Sequence, residues 1–77
     1  MTIKIIFFAS LADFTGKQEM ELENCSSVSQ LNEILNEKFA GFSNQKFAIA
    51  VNKLIVNDNL VFSDGDIVAL LPPFSGG

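Results

Sequence analysis

The stretch from Ser27 to Phe39 limits the folds open to this chain more than any other, because it is its one long amphipathic helical pattern. Val28, Leu31, Ile34, Leu35 and Phe39 recur at helical spacing, while Gln30, Asn32, Glu33, Asn36 and Glu37 fall on the opposite side. Ser27-Val28-Ser29-Gln30 fits a capping box, in which the Ser27 hydroxyl takes the third amide and Gln30 reaches back. Gly41 is a natural terminator. The pattern predicts one helix of about thirteen residues, about 20 Å long, whose stripe must be covered by something else in the chain.

That cover is a set of short strands. Thr2 to Ala9 reads as a strand with Ile3, Ile5, Phe7 and Ala9 on one side and Lys4, Ile6 and Phe8 on the other. Leu11 to Gly16 reads as a short irregular connection. Between Lys17 and Glu23, Met20 and Leu22 alternate with three glutamates, which describes a strand with one wet side and discourages edge pairing. After a polar loop through Gln45, Phe47, Ile49 and Val51 alternate with alanines, and Asn52-Lys53 offers a hairpin turn into Leu54-Ile55-Val56. Residues 57–63 read as loop with Phe62 turned inward, and Asp64-Gly65-Asp66 as a tight turn launching a last strand, Ile67 to Leu71. One helix over one face of a mixed sheet of four to five strands is a two-layer α+β arrangement, and its order matches the ubiquitin-like β-grasp. In that fold the first and last strands are parallel neighbours at the sheet centre. Both are apolar on both faces here, so Phe8, Ile6, Ile67, Leu71 and Ile55 are expected to form an uncovered patch that receives a partner.

The last strand runs into Leu70-Leu71-Pro72-Pro73-Phe74-Ser75-Gly76-Gly77. Prolines cannot donate to a sheet ladder, so Pro72-Pro73 should end the strand and hold the exit extended. The expected division is a domain at 1–71 and a flexible tail at 72–77 ending in a free carboxylate. Residues 74–77, fully extended, would reach roughly 13 Å, at about 3.3 to 3.6 Å per residue. Gly76 and Gly77 would pass through a channel too narrow for other residues.

Composition narrows the classes. A chain of 77 residues makes one domain, at a size where a single core nets on the order of 3 to 5 kcal/mol. A net charge of −4 with no arginine argues against nucleic acid and for a basic protein partner. Apolar runs fall short of the ~20 residues of a membrane span, no leader pattern opens the chain, and a single cysteine excludes an internal disulfide, so the expectation is a cytoplasmic protein with no membrane partner. There is no histidine, and no ligand cluster for a metal. Asp58, Asp64 and Asp66 lack calcium-loop spacing and are better read as turn formers. Cys25, just before a helix start, is a secondary candidate for a thiol relay.

Ile5-Ile6-Phe7-Phe8-Ala9, Ala50-Val51-Asn52, Asp64-Gly65-Asp66, Val68-Ala69 and above all Leu71-Pro72-Pro73-Phe74-Ser75-Gly76-Gly77 resemble the ubiquitin-like sulfur carriers, and within them the small subunits of molybdopterin synthase. The likeness spans the whole chain. Thiazole-pathway carriers share the double glycine but typically lack the two prolines. The resemblance implies that an ATP-using, ubiquitin-activating-like adenylyltransferase activates Gly77 and that a sulfur donor protein converts it to a thiocarboxylate. The tail would then deliver sulfur to a cyclic pyranopterin precursor held by the large subunit, with two carriers flanking a large-subunit dimer. Gly77 would be the one reacting residue, Gly76 would give access, and Pro72, Pro73, Phe74 and Ser75 would set direction. Phe8, Ile55, Ile67, Leu71 and Phe74 would dock, with no permanently bound cofactor and no enzyme activity of the subunit alone. Ala12 stands where the family often has a basic residue. A thiazole or other sulfur-transfer pathway, a ubiquitin-like adaptor and a protein-conjugating modifier are the competing readings.

Overall fold

The computed structural model describes residues 1–72. The elements run β1 (Thr2–Phe7), α1 (Ser10–Thr15), β2 (Glu19–Glu23), α2 (Val28–Lys38), a 3₁₀ turn (Phe42–Asn44), β3 (Ala48–Val51), β4 (Leu54–Val56) and β5 (Ile67–Leu71). The five strands form one mixed sheet in the order β2-β1-β5-β3-β4, with β1 and β5 parallel and the other pairs antiparallel. This is the ubiquitin-like β-grasp expected from the sequence, at the upper end of the expected strand number.

Alternation decides which way each strand faces. Ile3, Ile5 and Phe7 of β1 and Val68 and Leu70 of β5 are buried, and with Leu31 and Leu35 of α2 they make one core cluster. Each such side chain contributes about 1.5–3 kcal/mol relative to leaving it exposed. Phe62 joins the cluster from its loop, as its pattern predicts. The start of α2 is capped by Ser27, whose Oγ accepts from the Gln30 amide at 3.2 Å. The return arm of the box lands one residue earlier than expected: the Gln30 side-chain oxygen accepts from the Ser26 amide at 2.7 Å and the Ser26 hydroxyl at 2.8 Å. The helix is 11 residues long rather than thirteen, because Phe39 turns extended at φ −128° to bring its ring to the core.

Two connections differ from the sequence reading. Leu11 to Gly16 is helical instead of irregular: Leu11 is buried, and Gly16, left-handed at φ 76°, closes α1 by donating to the Ala12 carbonyl at 2.8 Å. The entry to α1 is a tight turn in which the Leu11 amide donates to the Phe8 carbonyl at 3.0 Å, with Ala9 at φ 49°, ψ −123°. Those angles are close to the first central position of a type II′ turn, which glycine occupies without strain and alanine does not. Ala9→Gly should therefore raise stability by about 1 kcal/mol, read as a higher urea midpoint with an unchanged slope.

The second difference is Phe42, which lies inside a stretch read as polar loop yet is 1 % exposed. Its ring meets Phe47 at 5.1 Å, Phe14 at 6.1 Å, Phe39 at 6.2 Å and Phe7 at 6.5 Å between centroids. After α2 ends, the chain has to cross the open end of the core to reach β3, and the 3₁₀ turn puts Phe42 there as the plug.

Candidate functional site

The face of the sheet turned away from the core cluster follows from the pairing register. Ile6 lies opposite Ala69, Ala69 opposite Ala50, and Ala50 opposite Ile55, so one outward row crosses β1, β5, β3 and β4. Ile67, opposite Lys4, flanks that row on one side, and Leu71, opposite Ala48, on the other. Two neighbouring alanines lie between the isoleucines at the ends of the row, and the small residues leave room between them. The result is an apolar depression of about 400 Å³ lined by Ile6, Phe8, Ile67, Ala69, Asn52 and Lys53. Phe8, just past the end of β1, is 43 % exposed, Ile67 on the central strand 46 % and Ile55 on the edge strand 57 %, and together they leave an apolar face uncovered.

Of the residues expected to dock, Phe8 and Ile67 meet in the depression. Leu71 is half-buried beside it on the same face, and Ile55 lies at the far end of the outward row without lining it. Phe8 is fixed by a backbone bond in which its amide donates to the Leu70 carbonyl at 3.1 Å, which carries the β1–β5 ladder one step past the end of β1. Because the two strands are parallel, Phe8 and Pro72 stand at the same end of the sheet, and the chain leaves the domain beside the depression. Pro73, Phe74, Ser75, Gly76 and Gly77 lie outside the described residues.

The far side of the depression is a hairpin and a clasp. Asn52 and Lys53 form the two-residue turn between β3 and β4 with φ of 49° and 75°, the left-handed pair of a type I′ turn. Asparagine tolerates that region; lysine pays about 1 kcal/mol for it. The Asn52 side-chain oxygen accepts from the Ile67 amide at 3.0 Å, and its amide group donates to Asp66 Oδ1 at 2.9 Å. Asp66 Oδ2 accepts from the Ser63 amide at 2.8 Å, and Asp64 Oδ1 from the Thr2 amide at 2.7 Å. The Ser63 amide, and after it Asn52, hold the Asp66 carboxyl below its ordinary range. These aspartates build turns, as their spacing suggests, and among the described residues no three His, Cys, Asp or Glu gather as a metal set.

Cys25 is placed against the relay reading. It is fully buried, its Sγ lies 3.9 Å from the Ser27 carbonyl oxygen, and burial pushes its thiol above the ordinary value, which opposes the thiolate that a relay requires. Ala12, half-buried against the core, borders a second hollow with Phe8 and Asp13. The sequence reading did not single out Lys53 as a site residue; the only available signal was a lysine in the turn position where glycine is the usual choice.

Comparison with known proteins supplies the remaining findings. Residues 5–77 match the model of the ThiS family. A molybdopterin synthase sulfur carrier subunit from Mycobacterium tuberculosis is 30% identical over 80 residues, covering 97% of this chain and 96% of that protein. A solved structure described as molybdopterin converting factor subunit 1, from Pyrococcus furiosus, superposes with a TM-score of 0.86 at 26% identity, covering 96% of this chain and 99% of that one. A further solved structure, from Helicobacter pylori, is a protein–protein complex of subunits 1 and 2 of molybdopterin-converting factor. It matches with a TM-score of 0.75 at 26% identity, covering 100% of both chains.

Proposed function

The chain belongs to the ThiS family, and from that membership we propose that it is the sulfur-carrying small subunit of a molybdopterin synthase, charged at Gly77 and discharged within a large subunit. The observation that carries this reading is the likeness to a molybdopterin synthase sulfur carrier along 97% of the chain, together with a family match that runs to the final glycine. The exit of β5 beside an uncovered apolar depression supports it: one face can dock while the tail enters a neighbouring pocket.

The chemistry begins with a carboxylate, which at neutral pH is an anion and a poor electrophile. Activation joins a carboxylate oxygen of Gly77 to the α-phosphorus of ATP and expels pyrophosphate. The outer sulfur of a persulfide on a donor protein would then bond to the acyl carbon as the carbon–oxygen bond to AMP breaks. A thiol reductant would cleave the resulting sulfur–sulfur bond, leaving a disulfide between that thiol and the donor sulfur, and a thiocarboxylate on the tail. That group is a soft nucleophile at the tip of a thin arm, suited to attack on the pyranopterin precursor bound by the large subunit. The proton-transfer groups for the transfer step would come from the large subunit. The adenylyltransferase and the large subunit would meet the same depression in turn, and the acidic surface would speed encounter with a basic partner.

Intact-mass measurement of protein purified from its own cells tests the carrier assignment. A form heavier by one oxygen-to-sulfur exchange, mapped to the last peptide, is expected. Its absence under conditions that induce cofactor synthesis would count against the assignment. Conversion of precursor by the charged protein and its cognate large subunit then separates this pathway from a thiazole or other sulfur-transfer route.

A further inference from the structure

Resting on the reading above, we propose that Lys53 is a specificity-determining contact: its ammonium pairs with an Asp or Glu of the large subunit that sits beside the apolar side chain filling the depression. Three observations meet at this residue. The backbone there is left-handed at φ 75°, so the hairpin would be better formed with glycine, and the retained lysine works against local stability. Its place is at the wall of the depression, with Ile6, Phe8, Ile67 and Ala69, where a docked partner would surround it. It also makes no ion pair among the described residues, whereas the other lysine on this face, Lys4, is neutralised by Glu19 at 3.4 Å.

The charge pattern selects the partner chemistry. On a chain of net charge −4, a lone cation at the edge of an apolar hollow is a local reversal of sign. A partner that is basic elsewhere but carries one carboxylate at this point can seat in only one orientation, and a surface basic throughout is repelled there. Lys53 would thus fix the angle at which the docked domain directs its tail.

The test sets fold stability against binding. Lys53→Gly and Lys53→Asn both suit the turn, the second without adding backbone freedom, and Lys53→Arg keeps the charge. Thermal melts of the carrier and calorimetric titration of the purified cognate large subunit are measured for all four proteins. The expected result is that Lys53→Gly melts about 4–8 °C higher, that Gly and Asn variants bind about tenfold more weakly, and that the Arg variant binds as the parent does. A purely structural residue would not weaken binding while strengthening the fold. Unchanged affinity in the Gly and Asn variants overturns the proposal while leaving the carrier assignment standing. Failure of the parent protein itself to bind the large subunit removes both the proposal and the molybdopterin synthase reading, whereas sulfur found on the last peptide would still mark a carrier of another pathway.

Discussion

Removal of Gly77 is expected to reduce sulfur loading to background while leaving affinity for the large subunit within about tenfold of the parent. The two outcomes separate because they depend on different parts of the chain. Loading needs an acyl carbon at the position where the activating enzyme presents ATP, and a tail shortened by one residue falls short by about 3.3–3.6 Å, more than the tolerance for nucleophilic attack. Affinity depends on buried apolar surface, to which a glycine adds little, so the change should stay near or below about 1.4 kcal/mol. Residues appended after Gly77 that are never trimmed should have the same effect, since they replace the carboxylate with a peptide bond. Intact mass reports loading and calorimetry reports binding. Sulfur retained on the shortened chain would move the chemistry elsewhere; because Cys25 is buried, no thiol of this chain is ready to take it over.

The double substitution Phe8→Glu with Ile67→Glu should leave the domain folded and weaken binding to the large subunit roughly a thousandfold. Two anchors of about 2 kcal/mol each give about 4 kcal/mol, at 1.4 kcal/mol per decade. Both side chains are close to half exposed in the free domain, on the face away from the core cluster, so a carboxylate at either place stays in water until a partner arrives. On docking, the same two carboxylates would be buried in an apolar hollow whose wall offers one lysine, Lys53, too little to compensate both. Circular dichroism melts check the first half of the expectation and calorimetry the second. Full affinity in the folded variant would show that another face does the docking.

The strands and the uncovered patch were legible because they rest on period-two alternation, and the parallel pairing of the first and last strands followed from the match of the element order to the β-grasp. Ile6 on β1 and Phe8 just past its end, with Ile67 and Leu71 at the other end of the chain, stand out as apolar residues on the side a single helix cannot reach. Other features rest on distances the sequence does not carry. Nothing in Ser10 to Thr15 supplies a side-chain cap, so α1 exists because Leu11 finds the core and Gly16 turns left-handed. Phe42 sits among polar neighbours, and only the path from α2 to β3 decides that it goes inward. The Asn52–Asp66 clasp joins residues fourteen apart that read separately as a hairpin turn and a launching turn. The depth of Cys25 is hidden for a related reason: its closeness to a helix start is visible in the sequence, but its burial is not.

β5 is bonded along both edges, in parallel to β1 and antiparallel to β3, and the chain continues from its end. A pull on that continuation, as when a docked carrier is withdrawn from a tight channel, acts along the strand axis and loads both ladders in shear at once, so no single bond can be peeled first. Had the tail left from β4, at the rim of the sheet, the same tug would open it like a zipper. Attachment at the innermost strand would therefore suit the proposed carrier role, in which the domain serves as a rigid handle through repeated insertion and withdrawal.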